Sequence, residues 1–155
     1  MSEEEKQGIS INFGLEAFEI LEYIYDYEGP EHDIDLRELG FKLQFEHKAD
    51  LEAGTFAIKF KVTAQIGKDN PLELGYISTR TIYSLSNMDE LINDDGHFVL
   101  PKNLAITLLS IALSTTRGAL VAKSEGNILS EAILPLADPK EMYEASPLKG
   151  ELEIK

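Results

Sequence analysis

Thr55-Phe56-Ala57-Ile58-Lys59-Phe60-Lys61-Val62-Thr63-Ala64-Gln65-Ile66 is the stretch that decides the fold. Phe56, Ile58, Phe60, Val62 and Ala64 recur at every second position, with Lys59, Lys61, Thr63 and Gln65 between them. Strict alternation puts the first set on one face of a strand and the second on the other. One apolar face and one polar face mean an antiparallel sheet covered on one side. The preceding stretch repeats the pattern. In Glu38–Lys48, Leu39, Phe41, Leu43 and Phe45 alternate with Lys42, Gln44, Glu46 and Lys48, and Asp50–Gly54 turns the chain into the next strand. On the other side, Gly67–Pro71 is a turn, and Leu72–Leu85 is a fourth strand rich in β-branched residues.

A further strand is expected upstream, over Gly14–Glu28. Leu21, Tyr23, Tyr25 and Tyr27 fall on one face, and Phe18, Ile20 and Ile24 on the other. Gly29-Pro30 ends it, and a polar loop of Glu31, His32, Asp33 and Asp35 follows. Downstream the period changes. Asn87–His97 is polar with a short turn. Pro101 then opens a helix where its missing N–H is not needed. From Leu104 to Ala122 the apolar residues wrap most of the way round, so the helix needs cover on nearly every side. The sheet can supply one side; a second subunit is expected to supply the other, through Leu104, Leu108, Ile111, Ala112 and Thr115. Gly118 is expected to be passed over, with the stop at Gly126-Asn127. Ile128–Leu136 reads as extended. Asp138-Pro139 caps and starts a short last helix through Met142 and Tyr143. Residues 1–13 and 145–155 read as tails flanking one α+β domain over 14–144.

The chain has 155 residues and no cysteine, which excludes disulfide scaffolds, thiolate metal sites and thiol nucleophiles. It has no basic-then-apolar start of the signal-peptide kind and no apolar run of bilayer length, so a cytoplasmic protein without membrane insertion is expected. Acids outnumber bases 28 to 14, a net charge of −14 that repels phosphate backbones and argues against a nucleic-acid partner. Residues 1–50 hold 14 acids against 4 bases, whereas 97–124 hold no acid. Glu19, Glu22, Asp26, Glu28 and Glu73 are a candidate acidic docking face for a basic partner, or simply a solubilising one. His32, His47 and His97 lack ligand spacing, and no metal or other cofactor is expected. Ser110, Ser114, Thr115 and Thr116 have no histidine nearby in sequence to act as base. The expectation is a binding protein rather than an enzyme.

Three stretches resemble the SecB family of bacterial export chaperones. Phe56–Ala64 resembles its third strand, Ile82-Tyr83-Ser84-Leu85 the end of its fourth, and Pro101-Lys102-Asn103-Leu104 through Thr116-Arg117 its first helix. The spacing from Arg117 to Leu134, Pro135, Asp138, Pro139 and Tyr143 also fits. The resemblance implies a four-stranded Greek-key sheet with one long and one short helix, and assembly as a dimer or dimer of dimers through the long helices. It implies holding of unfolded or precursor polypeptides in apolar grooves, without ATP or cofactor, and delivery to the motor SecA. Tyr25, Tyr27, Ile34, Leu36, Tyr83, Leu85, Met88, Met142 and Tyr143 are the candidate client-binding residues, since Met repacks and Tyr is apolar with a polar tip. Two departures point to an alternative, a chaperone dedicated to one partner such as an antitoxin. The loop Gly29–Arg37 carries only Ile34 and Leu36 as large apolar residues, and Tyr76 stands where the family has an acidic contact to the motor. A small-ligand binder or enzyme on an antiparallel sheet is the third class. A hotdog-type thioesterase would place its long helix before most strands, not after four.

Overall fold

The computed structural model describes residues 11–131, 138–145 and 151–152. Four long strands form one antiparallel sheet: β1 (Phe13–Tyr25), β2 (Leu39–Asp50), β3 (Thr55–Ile66) and β4 (Leu72–Leu85). Their order across the sheet is β1-β4-β3-β2. β2, β3 and β4 are joined by tight turns, and β1 reaches β2 by a crossover containing two short 3-10 turns, Glu31–Asp33 and Leu36–Glu38. This is the Greek-key order that the SecB resemblance implied. A 3-10 turn (Met88–Leu91) and a two-residue strand β5 (Phe98–Val99) lead into α1 (Lys102–Lys123). The chain continues into a 3-10 turn (Ile128–Ser130), α2 (Pro139–Glu144) and β6 (Glu151–Leu152).

The alternating stretch behaves as expected except at Thr63, which was read on the outward face and is 3% exposed. Phe56, Ile58, Phe60, Val62 and Ala64 are all at most 1% exposed, and Lys59 and Lys61 face solvent. They meet α1, whose Ala105, Leu108, Leu109, Ala112, Leu113, Thr116 and Leu120 are buried. Three hydrogen bonds set how the helix crosses the sheet. The Tyr83 hydroxyl donates to the Leu108 carbonyl at 2.6 Å. The Thr79 and Thr116 hydroxyls share a bond of 2.7 Å, as do those of Tyr23 and Ser124 at 2.9 Å. Tyr83 and Thr79 belong to β4 and only Tyr23 to β1. The helix therefore packs over β3 and β4, and Ser124 at its C-terminal cap is bonded to β1. Gly118 is passed over, with open space where a Cβ would be. By length and composition alone the 22-residue α1 could cross a bilayer, which corrects the expectation that no such run exists. Its seven buried residues are committed to the sheet and its neighbours.

β1 departs from simple alternation. Its register on β4 shifts between Leu15 and Ala17 and again between Ile20 and Glu22. Each shift inserts one extra residue and reverses which face the following residues take. Phe13, Leu15, Phe18, Ile20, Tyr23 and Tyr25 are thus paired with Leu85, Tyr83, Thr81, Thr79, Ile77 and Gly75, all on the helix-facing side. Period-2 counting had assigned Phe18 and Ile20 to the face opposite Tyr23 and Tyr25. Gly75 is required where β1 ends, because a Cβ there would press on the Ile24 carbonyl oxygen.

Two expectations on the C-terminal part change. Ile128–Ser130 is a 3-10 turn rather than extended chain, with Asn127 accepting from Leu129 N–H at 2.9 Å; the rest of the expected stretch, 132–136, lies outside the described residues. Within the tail expected to be loose, Glu151–Leu152 pairs antiparallel with Phe98–Val99. The α2 cap is as read: Asp138 accepts from Lys140 N–H at 2.9 Å, with Pro139 in the first turn.

Candidate client-binding surface

Most of the client-binding residues expected from sequence are packed inside the protomer. Tyr83, Leu85, Met88 and Tyr143 are 0%, 5%, 4% and 7% exposed and belong to the main core between sheet and helices. These four cannot meet a client without unfolding, which corrects the expectation for them. Burial pushes the Tyr83 hydroxyl well above the ordinary phenol range. Its proton is held by the native state at pH values where the unfolded chain, near 10, releases it. The stability tied to this group is complete below about pH 10 and is lost as pH rises beyond it. Tyr83→Phe is therefore expected to cost about 1 kcal/mol at neutral pH, for one lost buried hydrogen bond. The variant should also flatten the alkaline fall of the melting temperature, measured by circular dichroism from pH 8 to 11.

Tyr25, Tyr27 and Ile34 are half-buried around a second, smaller cluster of Ala64, Leu74 and Leu129. Their polar tips are engaged. The Tyr25 hydroxyl donates to Glu31 Oε2 at 2.6 Å, and the same oxygen accepts from Ile128 N–H at 2.8 Å. Burial, then the Glu31 carboxylate, raises the Tyr25 hydroxyl. The Tyr27 hydroxyl donates to the Pro30 carbonyl at 3.1 Å. Asn127 Nδ2 donates to the Tyr23 hydroxyl at 2.9 Å. The β1 tyrosines thus clamp the crossover and the segment after α1 to the sheet. Met142 is half-buried against the main core, and Leu36 is 37% exposed on the crossover.

The apolar surface that remains open is one that sequence reading missed as a site. Among the described residues, large apolar side chains with a third or more of their area exposed include Phe13 (40%), Leu15 (55%), Ile20 (41%), Leu21 (37%) and Ile24 (36%). All five lie on β1, the others being Leu36, Leu72 and Val121. Phe13, Leu15 and Ile20 are on the helix-facing side and are left uncovered there. Phe13 meets Tyr83 edge-on, with ring centroids 6.3 Å apart, which ties the open ledge to the core. β1 is also an edge: on its outer side no described strand pairs with it. A long apolar edge strand offers a row of backbone N–H and C=O groups beside apolar side chains, the form that takes an extended peptide. The available signal was a strand apolar on both faces; its edge position and its bulges were not readable.

No protein-family model matches the chain, and no curated protein matches it. Solved structures to which it is similar include the following two. One is the Mycobacterium tuberculosis SecB-like chaperone Rv1957 in complex with a ChAD peptide from the Rv1956 HigA1 antitoxin. Identity is 13%, covering 81% of this chain and 89% of that one, with a TM-score of 0.47. The other is a protein of unknown function from Streptococcus agalactiae, 19% identical over 83% of this chain and 99% of that one, with a TM-score of 0.32.

Two of the acidic candidates, Glu19 and Glu22, lie on the opposite face of β1. Glu19 and Glu22 pair in register with Arg80 and Ser78, and Ile24 with Tyr76. Glu19 Oε1 sits 3.7 Å from the Arg80 guanidinium. The Glu22 carboxylate raises the Tyr76 hydroxyl. Asp26, Glu28 and Glu73 are exposed nearby in the sequence of the same strands or just beyond them. Of the helix residues expected at a subunit interface, Leu108 and Ala112 are 0% exposed and already filled by the sheet side, so they are corrected to core positions. Leu104, Ile111 and Thr115 are half-buried and form one flank of the helix.

Proposed function

We propose that this protein is an ATP-independent holding chaperone that binds extended, apolar polypeptide on β1. The observation that carries this reading is the open ledge of Phe13, Leu15 and Ile20 on an edge strand. Apolar area removed from water contributes about 25 cal/mol per Å², before ordering costs. A ledge that stays exposed in the folded protomer is where that gain is still to be had. The resemblance of Phe56–Ala64, Ile82–Leu85 and Pro101–Arg117 to the SecB family supports the same reading.

A second reading, a chaperone dedicated to one partner, is favoured by a specific observation. Tyr25, Tyr27 and Ile34 on and before the crossover are drawn into the smaller core. That leaves a ledge one strand wide, suited to a short segment. Assembly into a dimer or dimer of dimers would use Leu104, Ile111 and Thr115 on the open flank of α1. Docking to a basic partner, such as the motor SecA, would use Glu19, Glu22, Asp26, Glu28 and Glu73.

The test is suppression of aggregation. An unfolded, slow-folding protein is diluted into buffer with rising amounts of this one, and light scattering is followed. Suppression saturating at a fixed ratio is expected of a holding chaperone, and the ratio gives the working assembly. Failure with several unrelated clients would remove general chaperoning. Protection of a single partner alone would select the dedicated reading.

A further inference from the structure

The two edges of the sheet are built differently. β1 carries Glu16, Glu19 and Glu22 and no cation, and its pairing with β4 is interrupted twice. Pairing β1 with a second β1 would set carboxylates against carboxylates along a bent edge. β2 is the reverse. It pairs with β3 through all 12 of its residues, Leu39–Asp50, without a shift. Beyond it, among the described residues, no strand follows. α1 packs over β3 and β4. The helix-facing row of β2, Leu39, Phe41, Leu43 and Phe45, is therefore only half-buried, whereas the matching row of β3 is fully covered. The outer row, Lys42, Gln44, Glu46 and Lys48, is exposed and carries both signs. Its three charged groups have no ion-pair partner within 4.0 Å among the described residues.

The order of charges along β2 is self-complementary. Place a second β2 antiparallel beside it, centred on Gln44. Lys42 of each copy then faces Glu46 of the other, and Gln44 faces Gln44. On the helix side Leu43 faces Phe45, and Phe41 faces His47. The two-fold axis makes each unlike pairing occur twice. Other alignments fit less well. Centring on Phe45 sets Lys42 against Lys48, and centring on Lys42 or Glu46 puts like charges on the axis. Centring on Leu43 leaves Lys42 facing Gln44 and Glu46 facing Gly40, and centring on His47 leaves Leu39–Leu43 overhanging. We infer that β2 pairs with β2 of a second copy of this chain in the Gln44-centred register, joining two four-stranded sheets edge to edge. The charge match selects that occupant, because opposite charges across an antiparallel pair attract and like charges repel. The contact gives the outward N–H and C=O groups of β2 partners and covers the half-buried apolar row. One strand pair is a small interface, so the dimer is concentration-dependent and separates on dilution. It uses neither β1 nor the flank of α1 and does not depend on the chaperone reading.

The experiment uses the full chain, which has no cysteine of its own. In Gln44→Cys the two thiols lie across the axis, with Cα atoms about 5 Å apart and within disulfide range. Mild oxidation at high protein concentration is expected to give a covalent dimer. In Lys48→Cys the thiols are about 27 Å apart along the strands, and cross-linking should be at least about tenfold slower. Lys42→Glu should weaken association by at least about tenfold in sedimentation velocity, because both cross-strand pairs become repulsive. K42E/E46K reverses both pairs and should restore it. These side chains are exposed, so each variant should melt within a few degrees of the parent. Ile111→Glu, on the α1 flank, should leave the Gln44→Cys cross-link intact. Equal cross-linking of Gln44→Cys and Lys48→Cys would overturn the proposal, as would failure of K42E/E46K to recover what Lys42→Glu loses. Reduced suppression of aggregation by Lys42→Glu with unchanged sedimentation would assign β2 to a client instead, and the proposal falls.

Discussion

L15E/I20E is expected to abolish suppression of aggregation in a protein that still folds. Both side chains face the helix side of the sheet yet are 55% and 41% exposed, so neither is required to fill the core. Covering both with a client's apolar surface would contribute about 2–3 kcal/mol, taking half of the usual value for full burial of each. Replacement by a carboxylate removes that gain and adds the cost of desolvating a charge against an apolar partner. The two together correspond to a loss of about 100-fold in affinity. The variant should melt within a few degrees of the parent. Val121→Glu is the control: it sits on α1 at 40% exposure, away from β1, and should suppress aggregation as the parent does. Unimpaired suppression by a folded L15E/I20E would remove β1 as the client surface.

The same residues show what was readable in the sequence. β3 and β4 begin and end where alternation and turn residues place them, because each is paired on both sides and pleats without interruption at its centre. α1 was readable from its change of period, and α2 from Asp138-Pro139. β1 was not. Its two register shifts give a spacing of 2, 3, 2, 3, 2 between helix-facing residues, which no fixed period describes. Nor does a local pattern say that β1 lies at an edge, since the order β1-β4-β3-β2 is decided by pairing between residues some 60 positions apart. Tyr83 and Tyr143 were mistaken for groove residues for a related reason. Composition marks a tyrosine as amphipathic, but only the helix above Tyr83, with the Leu108 carbonyl 2.6 Å from its hydroxyl, makes it a core residue.

Phe60→Ala is expected to be the most damaging of these substitutions for stability, at about 3–5 kcal/mol. Phe60 is 0% exposed at the middle of β3, with Phe45 on one side and Thr79 on the other in register. Its ring lies 5.4 Å from that of Phe45, and α1 closes the same core. Strands fixed on both sides cannot move in to fill the space, so most of the cavity should remain. A domain of this size holds about 5–15 kcal/mol in all, so the variant stands near its unfolding threshold at 37 °C. Phe45→Ala removes the same ring from β2, the other edge of the sheet, where the side chain is half-buried and solvent can enter. It should cost about 1–2 kcal/mol. Urea titrations of both variants measure the difference. If Phe45→Ala proves as costly as Phe60→Ala, β2 is covered in solution, and the helix-facing side of that edge belongs to a contact between protomers rather than to open surface.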